Sequence, residues 1–520
     1  MKLKKILVFI VGLTIIFSEA TAQYQQDAFN FSNQIYGSTS RSLATGGSLS
    51  AVGADLSVMA TNPAGLALLK SNHFTFGTVL IMNSASSSFR ESSQADNKYG
   101  FTVNNFGYAW ARRNENSDWK GFSIGLAYNQ LADYRQDKLI SGTNSTGSVL
   151  DYFVYNANNS GTEYESRSSS FREDLAYETY LLELDGEEYY SFVTDEETYG
   201  ENQRRAVSES GGKGELDFSM AWNYADIVSF GFTVGTQFIN YDKKVNYSEY
   251  GYDDIYRLDT ENDSTQVDPE EMEFTEDLRT EGTGINIKGG IIVQPLKFWR
   301  LSAAVHSRTL TALTENYHTG MYSEFSTPDI NGDYDYFAGT DNNIYTWNLQ
   351  QPMRYNVGTA FILDQYPIGK FYTLPMIFSF EYEYTDYSTM RLKTTDGSDA
   401  FDRENDMIAK LYKETHNMRA GLELNFGKIK IRGGYALYPS AYKDDTGLFD
   451  NARVSYSGGL SFAGSAGYID VAYSISQLSS SMGMYGAGIS YPADPIGEIT
   501  EPTATFSEQF QYITLTFGLR

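Results

Sequence analysis

The chain has 520 residues, with 66 acidic and 39 basic side chains and a formal net charge of −27. It contains no Cys, which excludes disulfides, thiolate metal sites and cysteine nucleophiles. The acidic excess argues against nucleic-acid binding, which needs a basic surface. Aromatic side chains make up 15% of the chain, too many for a disordered protein, and the mean hydropathy of −0.39 resembles that of a soluble one.

The N-terminus has the pattern of an export signal. Lys2, Lys4 and Lys5 precede an apolar run over residues 6–17, and Ala20-Thr21-Ala22 supplies small residues for cleavage. A membrane anchor helix is the alternative, but the run is well short of the ~20 residues that span a bilayer. We therefore predict that residues 1–22 are a cleaved signal peptide. Because no later stretch is long and apolar enough, the mature chain is predicted to be either soluble or a β-barrel.

Segments of roughly ten residues alternate between apolar and polar side chains along the chain. In residues 285–294, for example, Ile285, Ile287 and Ile291 share one face, and Asn286 and Lys288 share the other. A soluble β-sandwich alternates too. However, one face here is rich in Tyr and Phe, which a sandwich would have to bury or leave as large exposed patches. A barrel with a lipid-facing aromatic band needs them.

The spacing of these segments predicts an all-β fold, a transmembrane antiparallel β-barrel of about 14 strands. The connections alternate long and short, beginning with a long one at residues 83–99, and this asymmetry is typical of outer-membrane barrels with extracellular loops and tight periplasmic turns. Residues 73–520 are assigned to this barrel. The predicted strands are residues 73–82, 100–112, 119–131, 214–224, 228–242, 283–294, 298–311, 352–363, 374–389, 415–426, 429–438, 453–462, 467–477 and 509–519.

Residues 23–72 precede the first strand and do not alternate. They contain a stretch of small residues and many Leu and Val side chains, too apolar for a flexible periplasmic tail, which is the alternative. We predict that this segment folds into the lumen as a plug, or hatch.

The same segment resembles the hatch of the FadL/TodX family, outer-membrane transporters of long-chain fatty acids and other hydrophobic compounds. The resemblance rests on Arg41, Gly46-Gly47, Ala51, Asp55, Ser57 and above all Asn62-Pro63-Ala64-Gly65-Leu66. It implies a monomeric barrel in which extracellular loops capture a ligand, the ligand passes to a site in the lumen, and it leaves after the hatch shifts, with a lateral opening near the third strand. The C-terminus departs from the usual pattern, since it ends in Leu519-Arg520 rather than in an aromatic residue.

Several residues are candidates for handling a ligand. Within the hatch, Asn62, Pro63, Ala64 and Gly65 are interpreted as a moving turn, or alternatively as a tight connection into the first strand. In the lumen, a carboxylate headgroup would need Arg or Lys, and strand parity selects Arg308 and Arg354, followed by His306 and Lys288. These four residues could instead pair with lumen acids and hold the interior together. A hydrophobic loop groove, or alternatively a loop core, is predicted from Tyr152, Phe153, Tyr155, Tyr177, Tyr180 and Leu181.

The function predicted from the sequence is passive outer-membrane uptake of hydrophobic molecules, either long-chain fatty acid-like or aromatic hydrocarbons. The alternative is a structural or adhesive surface barrel without transport. The chain has only 4 His, and its G-x-S-x-G match at Gly121-Phe122-Ser123-Ile124-Gly125 falls inside a predicted strand and not at a strand-to-helix elbow, so we expect no enzyme and no catalytic residues. No metal or cofactor is expected. The expected partners are a hydrophobic small molecule, outer-membrane lipid and lipopolysaccharide, and the barrel-assembly machinery.

Overall fold

The structure, a computed structural model, describes residues 21–520 apart from 160–170, 187, 192–198, 253–268, 327, 329–332, 365–366, 369–370, 373, 396–399, 444–450 and 487–500. The predicted signal peptide therefore lies outside the described residues, except for its last two positions.

Fourteen antiparallel strands form a closed barrel, as the sequence predicts. Closure is made by the first and last strands, which pair from Phe74↔Leu519 to Ser88↔Thr505. Four strands are interrupted and continue in a second piece. The strands are His73–Phe89; Ser92–Arg113; Trp119–Asp133 with Gln136–Thr143; Asn202–Tyr224; Val228–Tyr250; Pro269–Leu296; Trp299–His306 with Leu310–Phe325; Asn343–Gln350 with Arg354–Leu363; Met376–Asp386 with Arg391–Thr394; Glu414–Phe426; Ile429–Tyr438; Arg453–Ala463; Gly467–Gly483; and Thr503–Leu519.

The remaining elements are short. The α-helices are Thr21–Ser32, Ser40–Ala44, Val149–Asn159, Phe171–Glu178 and Asp402–Leu411, and the 3-10 helices are Leu56–Ala60, Pro63–Leu68 and Tyr387–Thr389. Two small hairpins join Glu183–Asp185 to Glu188–Tyr190 and Pro367–Ile368 to Phe371–Tyr372, and Asp335–Gly339 pairs with the seventh strand. None of the helices in the described ranges is long and apolar enough to cross a membrane.

The strand faces alternate as the sequence pattern predicts. Ile285, Ile287 and Ile291 are exposed on the outer wall, and Asn286 and Lys288 are buried inside. Comparable exposed apolar side chains occur on the other strands and form a band beside the short turns. An outer face of this kind defines a transmembrane β-barrel of the outer membrane, with the short turns on the periplasmic side.

On the side opposite the short turns, the strands run much further than the sequence predicts. The fourth strand begins at Asn202 instead of residue 214, and the sixth at Pro269 instead of residue 283. The prediction of a long loop at residues 83–99 is wrong, because the first two strands continue to a tight turn at Arg90 and Glu91. Beyond the membrane neither face of a strand contacts lipid, so the hydrophobic alternation fades while the backbone hydrogen bonds continue.

Candidate functional site

The N-terminal segment (residues 25–72) packs directly against the inner wall of the barrel at a set of glycines. A Cβ atom on Gly434 would overlap the backbone nitrogen of Gly46, one on Gly290 would overlap the Asn62 side chain, and one on Gly231 would meet the backbone at Pro63. Glycine in a strand often marks such a close backbone approach. Because these contacts come from strands all around the barrel, they place the segment within it. Further glycines of this kind are Gly125, Gly358, Gly421 and Gly459, and we call the whole set the glycine seat.

Charged side chains of the wall hold the same segment. Arg41 donates to Glu423 of the tenth strand at 3.1 Å, and the backbone N–H of Ser50 donates to Glu381 of the ninth strand at 3.0 Å. From the fourth strand, the Lys213 ammonium donates to the carbonyl oxygens of Phe31 and Asn33 at 2.8 and 2.6 Å. Buried charges that lose such a partner are strongly destabilising, so these contacts fix the segment's position.

The Asn62 side chain connects the turn before the first strand to the wall. Its Oδ1 accepts a hydrogen bond from the N–H of Ala64 at 3.1 Å and so caps the 3-10 helix Pro63–Leu68. Its Nδ2 donates to the Ser50 carbonyl at 3.1 Å and to the Ile291 carbonyl of the sixth strand at 3.4 Å. The predicted hatch residues Asn62, Pro63, Ala64 and Gly65 are therefore buried together in one turn. Whether this turn moves stays a prediction.

The N-terminal helix Thr21–Ser32 fills an apolar chamber. Phe31 is fully buried, with its ring 5.5 Å from Tyr241 and 6.5 Å from Trp347, and Phe29 stacks on Tyr412 at 5.3 Å. The chamber is lined by Ile239, Leu278, Leu313, Leu349, Met390, Leu392, Ile408 and Leu411. A hydrophobic molecule in this chamber would have to displace the helix.

One carboxyl group of this helix lies in the apolar surroundings. Asp27 is buried, and burial raises its pKa to about 7, against the opposing attraction of Lys243 and with a smaller contribution from Glu209. Protonated Asp27 is therefore compatible with the docked helix near neutral pH, whereas its ionised form disfavours docking.

The backbone pairing of the wall is interrupted between the second and third strands. Their backbone pairing runs from Arg113↔Gly121 only as far as Asn105↔Asn129. Beyond that point the third strand bulges at residues 130–132, breaks, and continues as Gln136–Thr143, which pairs with the fourth strand but not with the second. We call this unpaired boundary the seam. The second strand contributes residues 92–104 to it, and Tyr99 and Phe101 there are about 70% exposed on the outer face.

Side chains bridge the seam where the backbone does not. Lys98 of the second strand donates to Asp137 at 2.6 Å and to Ser208 at 2.7 Å. The displaced piece of the third strand is held from the lumen side, where Ser87 donates to the Leu139 carbonyl at 2.5 Å and Lys138 pairs with Glu508 at 2.9 Å. The seam is thus closed by side-chain contacts, which can separate without breaking a strand ladder.

Asn129 joins the seam to the N-terminal segment. Its Oδ1 accepts from the Ser38 hydroxyl at 2.7 Å and from the Asn105 amide at 2.9 Å, and its Nδ2 donates to Asp217 at 3.0 Å. Two residues along the chain, at the bulge, the Leu131 carbonyl accepts from the N–H of Ile35 at 2.8 Å. A shift of the segment would therefore disturb the contacts at the start of the seam.

Three of the four predicted headgroup residues are buried in the lumen and already have partners. Lys288 pairs with Glu215 and Asp217, and Arg354 donates to Glu383 at 3.0 Å and to the Ser32 carbonyl at 2.6 Å. His306 contacts the Thr61 carbonyl at 2.5 Å.

The lumen-facing placement of Arg308 is wrong. His306 and Thr309 are buried and Arg308 is exposed, because the seventh strand carries an extra residue at its break after His306. This inserted residue reverses the parity from which Arg308 was assigned to the lumen.

The sequence reading missed an inward-facing guanidinium, that of Arg453 on the twelfth strand. It donates to the Ser476 hydroxyl at 2.8 and 3.0 Å and lies 4.2 Å from the centre of the Phe510 ring. Arg354 and Lys288 form ion pairs with lumen carboxylates, whereas Arg453 forms none with any described carboxylate. Parity does place Arg453 on the inner face, but its position at a strand end, next to a predicted loop, gave no reason to single it out.

The predicted groove residues divide into two groups. Phe153 and Leu181 are buried in a cluster formed by the loop helices and the strand ends, with Phe89, Met272 and Phe274. Tyr152 and Tyr155 are half-buried, and Tyr177 and Tyr180 are exposed. The buried pair thus forms the core of the loops, and the exposed tyrosines remain candidates for contact with a ligand.

The described residues form a closed barrel of fourteen strands with the N-terminal segment inside it, a fold that has counterparts among solved structures. The chain is similar to the crystal structure of a Pseudomonas aeruginosa FadL homologue, with a TM-score of 0.50 and 10% identity over 94% of this chain and 98% of that one. It is also similar to the toluene transporters TbuX of Ralstonia pickettii (TM-score 0.47, 16% identity, 94% and 99% covered) and TodX of P. putida (0.44, 11%, 94% and 98%). No family model and no curated protein matches the chain. The FadL/TodX resemblance is therefore confirmed as a likeness of fold.

Proposed function

We propose that the protein is a passive outer-membrane channel for hydrophobic molecules, with residues 23–72 as its plug and the seam as its exit. The observation that carries this proposal is the seam itself, which lies between the second and third strands and is connected to the N-terminal segment through Asn129. A barrel with a purely structural or adhesive role has no need for an interrupted wall or for that connection.

The proposed route leaves the lumen without crossing the part of the segment that lies beside the short turns, where Pro63 approaches Gly231 and Ala67 approaches Gly121. Phe101 and Tyr99 face outward beside the end of the seam nearest the membrane, so a molecule that leaves at that end enters the membrane rather than water. Such an exit favours apolar molecules, because moving a polar group into an apolar environment without a hydrogen bond costs free energy. Transfer down a concentration gradient by this route needs no energy source.

The lumen charges limit the class of ligand. Lys288, Arg354 and Arg419 are each paired with buried carboxylates, so they offer little to an incoming anion. Arg453 has only hydroxyl and aromatic partners among the described residues and could hold one carboxylate. We therefore propose that the channel accepts neutral hydrophobic molecules, and long-chain fatty acids with the headgroup at Arg453.

The proposal is tested by uptake of radiolabelled toluene and radiolabelled oleate into cells with and without the gene. We expect the cells that carry the gene to accumulate at least one of the two compounds faster. Equal uptake of both compounds, with the barrel present at the cell surface, would contradict the proposal and favour the structural or adhesive alternative.

A further inference from the structure

The outer wall near the short turns carries a cleft of about 450 Å³. Its floor is a row of outward-facing side chains that lie directly opposite one another on the second to fifth strands, in the register Arg112↔Phe122, Phe122↔Trp222 and Trp222↔Phe230. The Phe122 and Trp222 rings are 5.4 Å apart, and Trp222 stacks on Phe230 at 5.4 Å and 19°. The floor is therefore aromatic over three strands, with the Phe122 ring tilted by 39° from the Trp222 ring.

A β-bulge supplies one wall of this cleft. Trp119 pairs with Tyr224 and Gly121 pairs with Asn223, so Lys120 is an extra residue in the third strand. The bulge turns Trp119 to the outer face, where it is exposed and meets Phe230 edge-on at 6.0 Å and 78°. Bulges commonly re-aim a side chain in this way. Neither the Trp119 nor the Trp222 indole N–H has a hydrogen-bond partner within the described part of the chain.

Arg112 closes one edge of the cleft and forms no ion pair with any described carboxylate. The neighbouring Arg113 forms ion pairs with the nearby carboxylates, with Glu115 at 3.2 Å and with Asp226 at 2.9 Å. An arginine on the lipid-facing side of a barrel is tolerated close to the interface, where the cost is small. In a chain of net charge −27, an unpaired guanidinium beside an aromatic floor is a local site for an anion.

We propose that this cleft binds one phospholipid of the periplasmic leaflet. Arg112 donates to the phosphate, whose oxygens match the guanidinium fork. An acyl chain lies across Trp222 and Phe230, and the indole N–H of Trp119 faces the polar headgroup region, as interfacial Trp residues do. The position beside the short turns selects the periplasmic leaflet. This binding site does not depend on transport.

The test is native mass spectrometry of the delipidated full-length barrel with 1-palmitoyl-2-oleoyl-phosphatidylglycerol. We expect Arg112→Gln to weaken binding of the first lipid about tenfold, as expected when a charge-assisted hydrogen bond is lost, and Arg112→Lys to weaken it less. Trp222→Leu should weaken the phospholipid and the matching diacylglycerol alike. The matched control is Lys428→Gln, which removes a charge from an exposed side chain in another short turn and should leave binding unchanged.

Three results would overturn the proposal. Binding of phosphatidylglycerol by Arg112→Gln at the level of the unmodified barrel would show that Arg112 does not hold the phosphate. Equal binding of diacylglycerol and phosphatidylglycerol by the unmodified barrel would show that no phosphate is recognised. Tighter binding of lipid A than of phosphatidylglycerol at the same site would contradict the choice of a periplasmic lipid. Folding of each variant is checked by its shift in electrophoretic mobility on heating.

Discussion

Asn105 and Asn129 form the last backbone pair between the second and third strands, and their side chains are hydrogen-bonded at 2.9 Å. The same Asn129 oxygen also accepts from Ser38 of the N-terminal segment. The point where the wall separates is thus also a point where the segment is attached. This arrangement gives a physical means by which a change in the segment opens the seam.

We expect Asn129→Ala to loosen both sides of this junction. The substitution leaves Ser38, Asn105 and Asp217 without their shared partner, a loss of about 1–3 kcal/mol for buried polar groups. Hydrogen exchange should therefore become faster at residues 35–38 and 98–105. The control is Asn223→Ala, since Asn223 also hydrogen-bonds a neighbouring strand, through Ser229 at 2.9 Å, but in a continuous ladder. Equal effects of the two substitutions at residues 98–105 would contradict a specific role for Asn129.

The glycine seat predicts that Gly434→Val displaces the N-terminal segment. A side chain here would meet the backbone at Gly46, which cannot move aside as a flexible side chain can, so we expect a cost of about 1–3 kcal/mol in docking of the segment. The measurement is protection of residues 40–69 from hydrogen exchange. The adjacent Gly433→Val is the control, because nothing lies within 4 Å of a Cβ at Gly433. Unchanged protection in Gly434→Val would show that the seat does not hold the segment.

Arg453→Gln should separate charged from neutral ligands. If Arg453 holds a carboxylate, its loss should weaken oleate binding by about 1.5–3 kcal/mol, the contribution of a hydrogen bond to a charged group, and leave toluene binding unchanged. Binding is measured by titration of the purified barrel in detergent. Arg308→Gln is the control, because Arg308 is exposed on the strand break and does not face the lumen. A loss of oleate affinity in Arg308→Gln alone would reverse this assignment.

The N-terminal helix should undock as the pH rises. Asp27 in the docked helix has a pKa of about 7, raised by burial, whereas in a detached helix it would titrate near 3.9. The docked helix therefore keeps the Asp27 proton to a higher pH than the detached helix does. Docking is strongest below about pH 4, and it weakens as the pH rises from about 4 to about 7. A spin label at Gln26→Cys, in a chain without other Cys, should become more mobile between pH 4 and 8. The additional substitution Asp27→Asn should abolish the change, and a change that persists in Asp27→Asn would assign it to another group.

The features that the sequence predicts well depend on neighbouring residues along one strand. Ile285 faces lipid and Lys288 faces the lumen because alternation has a period of two residues, and the short turns lie where apolar runs end against polar residues. The prediction fails for Arg308, because one inserted residue after His306 shifts the parity of everything that follows. It fails again for the outer strand ends, which are stabilised by backbone hydrogen bonds and not by contact with lipid.

The seam was not predictable from residues because it depends on which strands fail to pair. No sequence pattern around Asn129 shows that the third strand stops pairing with the second strand after this residue. Only the FadL/TodX resemblance pointed to the third strand. The glycine seat could be predicted in part from the sequence. Glycines such as Gly290 and Gly434 within strand patterns indicate close backbone approach, but not what approaches them.

The most direct test of the proposed route is uptake through a barrel whose seam is locked. Lys98→Cys and Asp137→Cys, introduced together, are bridged by a short bis-methanethiosulfonate, and uptake of radiolabelled toluene and oleate is measured before and after reduction. The control pair is Lys244→Cys with Asp277→Cys, which replaces an ion pair at 3.2 Å across two continuously paired strands. We predict that the seam bridge stops uptake, that reduction restores it, and that the control bridge has no effect. Undiminished uptake through the bridged seam would contradict the route.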